Sequence, residues 1–201
     1  PITEGLTSRI AMHKLDRDGY QENIADNALK GDDFHDEHSQ GVRFSLNFNH
    51  GDLNNLMVLA WDENDIAAAI PYSTGRNRSV ALGSDGLVAA TPTGTAWAEG
   101  VQRNIDRDDP WKVETDLDSE EYVKNVFASN ATEFDVTDEL TIKNVFGYRK
   151  VDFETITNAD GTAAPAFGGY TVGPVTEGSD LRPTELESEC LSNEFQLLGT
   201  A

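Results

Sequence analysis

Six separate stretches of the chain alternate apolar and polar side chains, and this alternation restricts the fold more than any other feature. In the clearest stretch, residues 42–49, an extended chain would place the apolar side chains on one face and the polar ones on the other. That apolar face carries Val42, Phe44, Leu46 and Phe48. A period of two residues is typical of β-strands. The predicted strands cover residues 7–20, 41–49, 54–62, 121–135, 139–155 and 189–200.

The connections between these strands alternate in length. Two are short, at 50–53 and 136–139, and contain the Gly or Asp that tight hairpin turns use. The other three, roughly 21–40, 63–120 and 156–188, are long and polar, and in an antiparallel order they meet at one end of the sheet. Connections of this length without regular structure are uncommon in compact soluble domains, whereas outer-membrane barrels have them at one end. We therefore predict an all-β, antiparallel up-and-down meander of about six strands, part of a larger transmembrane β-barrel.

The orientation of the apolar face is not decided by periodicity. In a soluble β-sandwich the apolar side chains would face a core, and in a barrel they would face lipid. Tyr20, Trp61, Tyr122 and Tyr148 fall near the long-loop ends of their strands, where an interfacial aromatic girdle would lie. Ordinary packing of large side chains in a hairpin explains the same placement.

The composition excludes several kinds of partner and site. The chain has 36 acidic and 15 basic residues and a formal net charge of -21. Because a basic surface is needed to bind phosphates, we expect no nucleic-acid partner, and docking on an anionic cytoplasmic membrane surface is disfavoured for the same reason. A single cysteine, Cys190, excludes an internal disulfide and a cysteine-built zinc site.

No pattern in the sequence points to catalysis. His35 and His38 lie three residues apart with Asp36 and Glu37 between them, which suits either a surface metal site or, as we expect, an ordinary polar loop. Residues 16–19 resemble the start of a calcium-binding loop but lack the later ligands. The sequence has no nucleophile elbow and no phosphate-binding loop. We therefore predict a protein that is not an enzyme and has no catalytic, cofactor-binding or metal-binding residues.

Four segments resemble the barrel region of TonB-dependent outer-membrane receptors. The segment "LTIKNVFGYRKVDFETITNADGT" (140–162) resembles a strand that enters an extracellular loop, and "ECLSNEFQLLGTA" (189–201) resembles the strand that returns from it. Residues 14–48 are similar to early barrel strands with an Arg-Asp-Gly-Tyr step, and "DPWKVETD" (109–116) is similar to the end of a long loop. The resemblance covers most of the chain except 66–108.

The resemblance implies part of an active transporter in the outer membrane of a Gram-negative bacterium, in contact with outer-membrane lipid. Such receptors capture a ferric siderophore, a vitamin or a glycan with their loops, and the TonB–ExbB–ExbD complex moves a plug domain to release the ligand inward. The chain resembles neither the plug domain nor its energy-coupling box, and six strands are far fewer than the roughly 22 of such a barrel. We expect residues 1–201 to be an interior fragment of the barrel domain, which the start at Pro1 favours.

Two other functions fit the same pattern of strands. One is a passive, porin-like channel of the outer membrane, and the other is a soluble β-sandwich that binds a glycan or a protein. Tyr72, Trp97 and Trp111 lie in the longest connection and suit stacking on a siderophore or a sugar. Aromatic residues in long loops more often anchor the loop itself, so no ligand contact is assigned.

Overall fold

The computed structural model describes residues 2–72, 92–158, 161–164 and 184–199. Each long strand pairs antiparallel with the next long strand along the chain, in one six-stranded sheet. In chain order the elements are β1 (Leu6–Arg17), β2 (Gln21–Asn23), β3 (Asp33–Phe34), β4 (Glu37–His50), β5 (Leu53–Ala67), α1 (Pro92–Arg107), β6 (Lys112–Val113), β7 (Glu120–Thr137), β8 (Leu140–Ile156) and β9 (Thr184–Gly199). The predicted all-β meander is confirmed: the long sheet has the order β1-β4-β5-β7-β8-β9.

Both predicted hairpins are present, and short turns join their strands. The β4–β5 pair extends to His50 opposite Leu53, and Gly51 in the turn has φ 57°, a conformation that glycine adopts without strain. The β7–β8 pair closes with Thr137 opposite Leu140 after a register shift that begins at Asp135. Strand β5 runs past its predicted end at residue 62, because its acidic continuation still pairs with β7 although it no longer alternates.

The long connections contain regular structure that the sequence pattern does not predict. Strand β2 pairs antiparallel with β3 and parallel with β6 in a three-stranded sheet, and α1 precedes β6. The expectation of connections without regular structure is therefore wrong for these parts of the chain. Strands of two or three residues are too short to show a period of two, and the segment of α1 contains few large apolar residues.

The described parts of the connections fold together into what we call the loop unit, residues 18–36, 68–72, 92–119, 157–158 and 161–164. Phe34, Ile70 and Val113 form its apolar core, with exposed fractions of 1%, 2% and 1%. Gly100 of α1 lies against Thr162, where an added Cβ would approach the Thr162 Cβ to 2.7 Å. The loop unit thus contains most of the burial in the described residues. None of the helices among those residues has the length and apolar character needed to cross a lipid bilayer.

Candidate functional site

The register of the long sheet sorts its side chains onto two faces of different chemistry. Residues directly opposite each other share a face, so Phe44 groups with Ile10 and Leu59. The large apolar residues of this apolar face include Leu6, Ile10, Met12, Val42, Phe44, Leu46, Phe48, Leu53, Met57, Leu59, Trp61, Val126, Phe134, Leu140, Ile142, Phe146, Tyr148, Leu191, Phe195 and Leu197.

The apolar face remains open to its surroundings. Met12 is 75% exposed, Leu191 68% and Phe195 65%. Among the described residues that are apolar and buried, Val58 is the one that lies on a long strand, and it lies on the opposite face. No second layer within the described part of the chain covers these side chains, and a contiguous exposed apolar surface of this size marks contact with a partner or a membrane.

The apolar face forms a band that ends at charged residues. Towards the long loops, the row above Trp61 carries Lys14, Glu63 and Lys124 on β1, β5 and β7. On β8 and β9 the band ends one row earlier, because the row of Trp61 itself carries Lys150 and Glu189 there. At the other end the band finishes at the row of Leu53, beside the short turns. A strand rises ~3.3 Å per residue, so the band is about 27 Å long from Leu53 to Trp61 and ~20 Å tall if the strands tilt by about 40°.

The polar side chains within the band form hydrogen bonds with one another. The Asn55 amide donates to Asn130 Oδ1 at 3.1 Å and to Thr132 Oγ1 at 2.7 Å. On the neighbouring strands, Asn144 Nδ2 donates to Asn193 Oδ1 at 2.7 Å. Because these amides are hydrogen-bonded to each other, the free-energy cost of placing them in apolar surroundings is lower than it is for an unpaired amide.

The opposite, polar face carries mostly charged and small polar side chains, with a minority of large apolar ones such as Leu56, Phe127 and Leu198. Arg149 Nη2 donates to Asn125 Oδ1 at 3.1 Å, and Asn125 Nδ2 donates in turn to Asp62 Oδ2 at 2.9 Å. Lys143 forms an ion pair with Glu133 at 2.6 Å. Further along the face, a cavity of about 300 Å³ is lined by Arg9, Ala11, Arg43 and Ser45. This face is therefore suited to water rather than to lipid.

A buried polar network fixes the loop unit. Asn23 is 0% exposed; its Nδ2 donates to the carbonyl oxygens of Leu29 at 3.0 Å and Thr115 at 3.2 Å, and its Oδ1 accepts from the Thr115 amide at 3.2 Å. Asn158 Nδ2 donates to Thr115 Oγ1 at 2.8 Å and to the Thr162 carbonyl at 3.0 Å. Thr115 thus connects all three long connections, since 23, 115 and 158 come from different ones.

Charged groups add a second anchor to the loop unit. Glu114 Oε2 accepts from Arg103 Nη2 at 2.7 Å, and Glu114 Oε1 accepts from Arg107 Nη2. The hydrogen bond to Glu114 raises the pKa of Arg103. Nearby, burial raises the pKa of the Asp116 carboxyl. Helix α1 is therefore held against the segment that follows it.

The aromatic residues of the long connections have different environments. The Tyr72 hydroxyl donates to the Asn104 carbonyl and accepts from the Asp109 amide at 3.0 Å, so Tyr72 anchors the loop unit. Trp97 is half-buried in α1. Trp111 is 56% exposed and lies edge-on to Tyr20, with ring centroids 6.1 Å apart. Of the three aromatic candidates, Trp111 alone presents an exposed ring among the described residues.

Tyr20 was not among the candidates for stacking on a ligand, although it is 55% exposed and belongs to the same surface as Trp111. The Arg17 guanidinium lies 4.2 Å from the centre of the Tyr20 ring, and His35 meets that ring edge-on at 5.8 Å. We call these residues, with Trp111, the aromatic surface. The parallel pairing of β2 with β6 brings residues 20 and 111 together, and no local pattern in the sequence predicts that pairing.

His38 lies above the apolar band, at the long-loop end of β4. Its Nδ1 is 2.6 Å from Asp16 Oδ1, and its Nε2 is 3.2 Å from Asp36 Oδ2. The hydrogen bond to Asp16, with a smaller contribution from Asp36, raises the pKa of His38. Asp36 Oδ1 also accepts from the Ala67 amide at 2.5 Å. His38 therefore joins β1 to the β3–β4 connection, while His35 belongs to the aromatic surface.

Chemical sites of other kinds are not evident in the described ranges. Within them, no group of three or more His, Cys, Asp or Glu side chains is arranged to hold a metal ion. Cys190 is an exposed residue of β9 without a disulfide partner. Comparison with protein-family models, with curated proteins and with solved structures finds no match.

Proposed function

We propose that this chain forms part of the barrel wall of an outer-membrane active transporter of the TonB-dependent receptor class. In this proposal the apolar face contacts outer-membrane lipid, the polar face lines a wet lumen, and the loop unit faces the outside of the cell. The ligand would be a siderophore, a vitamin or a glycan, and its uptake would be driven by the TonB–ExbB–ExbD complex through a plug domain.

The observation that carries the proposal is the uncovered apolar band on one face of a six-stranded meander. Its estimated height of ~20 Å is close to the apolar band of about 25 Å that is typical of transmembrane barrels. Trp61 and Tyr148 lie in the two upper rows of the band, as residues of an interfacial girdle do, while Tyr122 lies among charged residues beyond them. The described parts of the long connections lie at the opposite end of the sheet from the short turns, and transmembrane barrels have the same arrangement.

The aromatic surface supports a role of the loop unit in capturing a ligand. Trp111 and Tyr20 offer exposed rings for stacking, and Arg17 adds a cation beside them. Their positions are fixed by a hydrogen-bonded unit, so little conformational entropy would be lost on binding. This arrangement suits a ligand with a planar aromatic or a sugar ring.

The alternatives make different predictions for the same chain. A porin-like channel would share the two-faced sheet, but uptake through the parent protein would continue when the proton-motive force is dissipated. A soluble β-sandwich would require a second apolar sheet over Phe44 and its neighbours.

The proposal is tested by the surroundings of the tryptophans. We would refold a variant with Trp97→Phe and Trp111→Phe, which leaves Trp61 on the apolar face, in micelles of a detergent brominated on its alkyl chain. Because bromine quenches indole fluorescence on contact, we expect strong quenching of Trp61 relative to unbrominated micelles. A matched variant with Trp61→Phe and Trp97→Phe reports on Trp111, for which we expect little quenching by the detergent and strong quenching by aqueous iodide.

Circular dichroism verifies that both variants keep their β-structure. Strong quenching of Trp61 by iodide would place the apolar face in water and defeat the proposal. Protection of Trp61 from both quenchers would indicate that protein covers this face and would favour the β-sandwich.

A further inference from the structure

The cavity on the polar face is bounded by two arginines from neighbouring strands. Arg9 is directly opposite Ser45, and Ala11 is directly opposite Arg43, so the two arginines are diagonal neighbours on the same face. Diagonal side chains of this kind start about 7–8 Å apart and are within reach of each other. Together with Ser45, they line a cavity of about 300 Å³.

Neither of these arginines is neutralised within the described part of the chain. Arg17, Arg103 and Arg107 each form an ion pair with a glutamate, whereas the side chains of Arg9 and Arg43 form no ion pair or hydrogen bond with described residues. With 36 acidic residues in the chain, a carboxylate partner is the expected arrangement for an arginine. The lack of one at two adjacent arginines leaves their charge available to a ligand.

The neighbours of the pair on the polar face are mostly uncharged. Beside the two arginines, the register places Thr7, Asn47, Val58 and Ala60. Asp62 is diagonal to Arg43, but it accepts a hydrogen bond from Asn125 at 2.9 Å and forms no ion pair with Arg43. The register thus places one carboxylate, Asp62, beside two guanidinium groups on this part of the face, in a chain whose formal net charge is -21.

We propose that Arg9, Arg43 and Ser45 form a binding site for an oxyanion, namely the carboxylate or phosphate group of a small molecule. A guanidinium presents two parallel N–H donors that match the two oxygens of either group, and the Ser45 hydroxyl is a further donor. Two unpaired cations side by side repel each other, and a bound anion removes this repulsion. This site adds to the proposed function, because it implies that the ligand carries an acidic group. It rests on that function only for access, since the ligand would reach the site through the lumen.

The test is a calorimetric titration of the refolded chain, in unbrominated non-ionic micelles, with citrate and with inorganic phosphate. Sodium chloride at matched ionic strength is the reference. We expect Arg9→Gln and Arg43→Gln each to weaken binding of the preferred anion about tenfold or more, because each removes a charge-assisted contact. Arg43→Lys, which keeps the charge but not the paired donors, is expected to give a smaller loss.

Lys14→Gln is the matched control, since it removes one positive charge from the same strand as Arg9 but from the other face. We expect it to change binding by less than about twofold. Citrate binding tighter than phosphate binding would assign the site to carboxylates, and the reverse order would assign it to phosphates. The absence of binding above the chloride reference, or equal losses in Lys14→Gln and the arginine variants, would overturn the site.

Failure of this site is distinguishable from failure of the barrel proposal. The titration reports on the polar face of the folded chain, whereas the Trp61 quenching reports on the apolar face. Anion binding by a chain whose Trp61 is exposed to iodide would keep the site and reject the barrel. Quenching of Trp61 by the brominated detergent without anion binding would support the barrel and reject the anion site.

Discussion

Phe44 and Asn47 show how strongly the two faces differ at the level of single residues. They belong to the same strand, and the register places Phe44 between Ile10 and Leu59 and Asn47 between Thr7 and Leu56. A substitution to arginine at these two positions changes the chain by the same charge. A difference in folding free energy between the two arginine variants therefore reports on what each face contacts.

We expect Phe44→Arg to lower the folded yield in liposomes far more than Asn47→Arg. Arginine on a lipid-facing position costs roughly 2–4 kcal/mol near the bilayer midplane, whereas positions that line a wet lumen tolerate it. The measurement is the fraction that resists protease after refolding, for the two variants in parallel. Asn47 is preferred to Ser45 as the control, because Ser45 lines the cavity that already holds two arginines. Equal yields for the two variants would refute the orientation of the sheet.

At the level of elements, the strands follow from the sequence and the loop unit does not. The six long strands and both hairpins agree with the alternation of apolar and polar residues, with end positions that differ by a few residues. The loop unit depends instead on contacts between distant segments, such as the hydrogen bond from Asn23 Nδ2 to the Thr115 carbonyl at 3.2 Å. Local patterns carry no information on such pairings, since each partner is an ordinary polar residue in its own segment.

The same limit applies to the aromatic surface and to the arginine cavity. Trp111 was a candidate because it lies in the longest connection, but Tyr20 becomes its neighbour only through the three-stranded sheet. The position of Arg43 on the polar face follows from the alternation. Its position next to Arg9 requires the register between β1 and β4, which the sequence does not reveal.

We expect Glu114→Gln to loosen the loop unit while leaving the long sheet intact. The Glu114 side chain is 11% exposed and accepts from two arginines, so the substitution leaves two cations without their partner. The local free energy of unfolding should fall by roughly 1–3 kcal/mol, towards the lower figure because Arg103 is half-exposed. Hydrogen exchange of amides in α1 measures the effect, with amides of β7 and β8 as the internal reference.

A matched variant, Glu139→Gln, removes one acidic charge from the short turn between β7 and β8. It should leave the exchange of α1 unchanged. Faster exchange in α1 for both variants would attribute the effect to net charge rather than to the contacts of Glu114.

At the level of the whole molecule, the described residues form a sheet with two open edges and an apolar face that none of them covers. The outer edges of β1 and β9 have no strand partner among the described residues. Unpaired edges and exposed apolar surface both promote association in water.

We therefore expect the purified chain to aggregate without detergent and to be monodisperse in detergent micelles. Size-exclusion chromatography under both conditions measures this behaviour. If the proposed function is right, expression of the chain in a cell that lacks the parent transporter should not restore ligand uptake, because the six strands of the described sheet do not close a barrel. A soluble monomer with a cooperative thermal transition would instead favour the β-sandwich.

The polar network around Thr115 also has a consequence for the order of assembly. The Asn23 contact with Thr115 spans 92 positions of the chain, and the Asn158 contact with Thr115 spans 43. Closing such long intervals costs entropy before any contact forms, so structure of high contact order is acquired slowly. The hairpins, with their local pairings, can form first and bring the three connections together. The loop unit would then be the last part of the protein to become ordered, after the long strands have already paired.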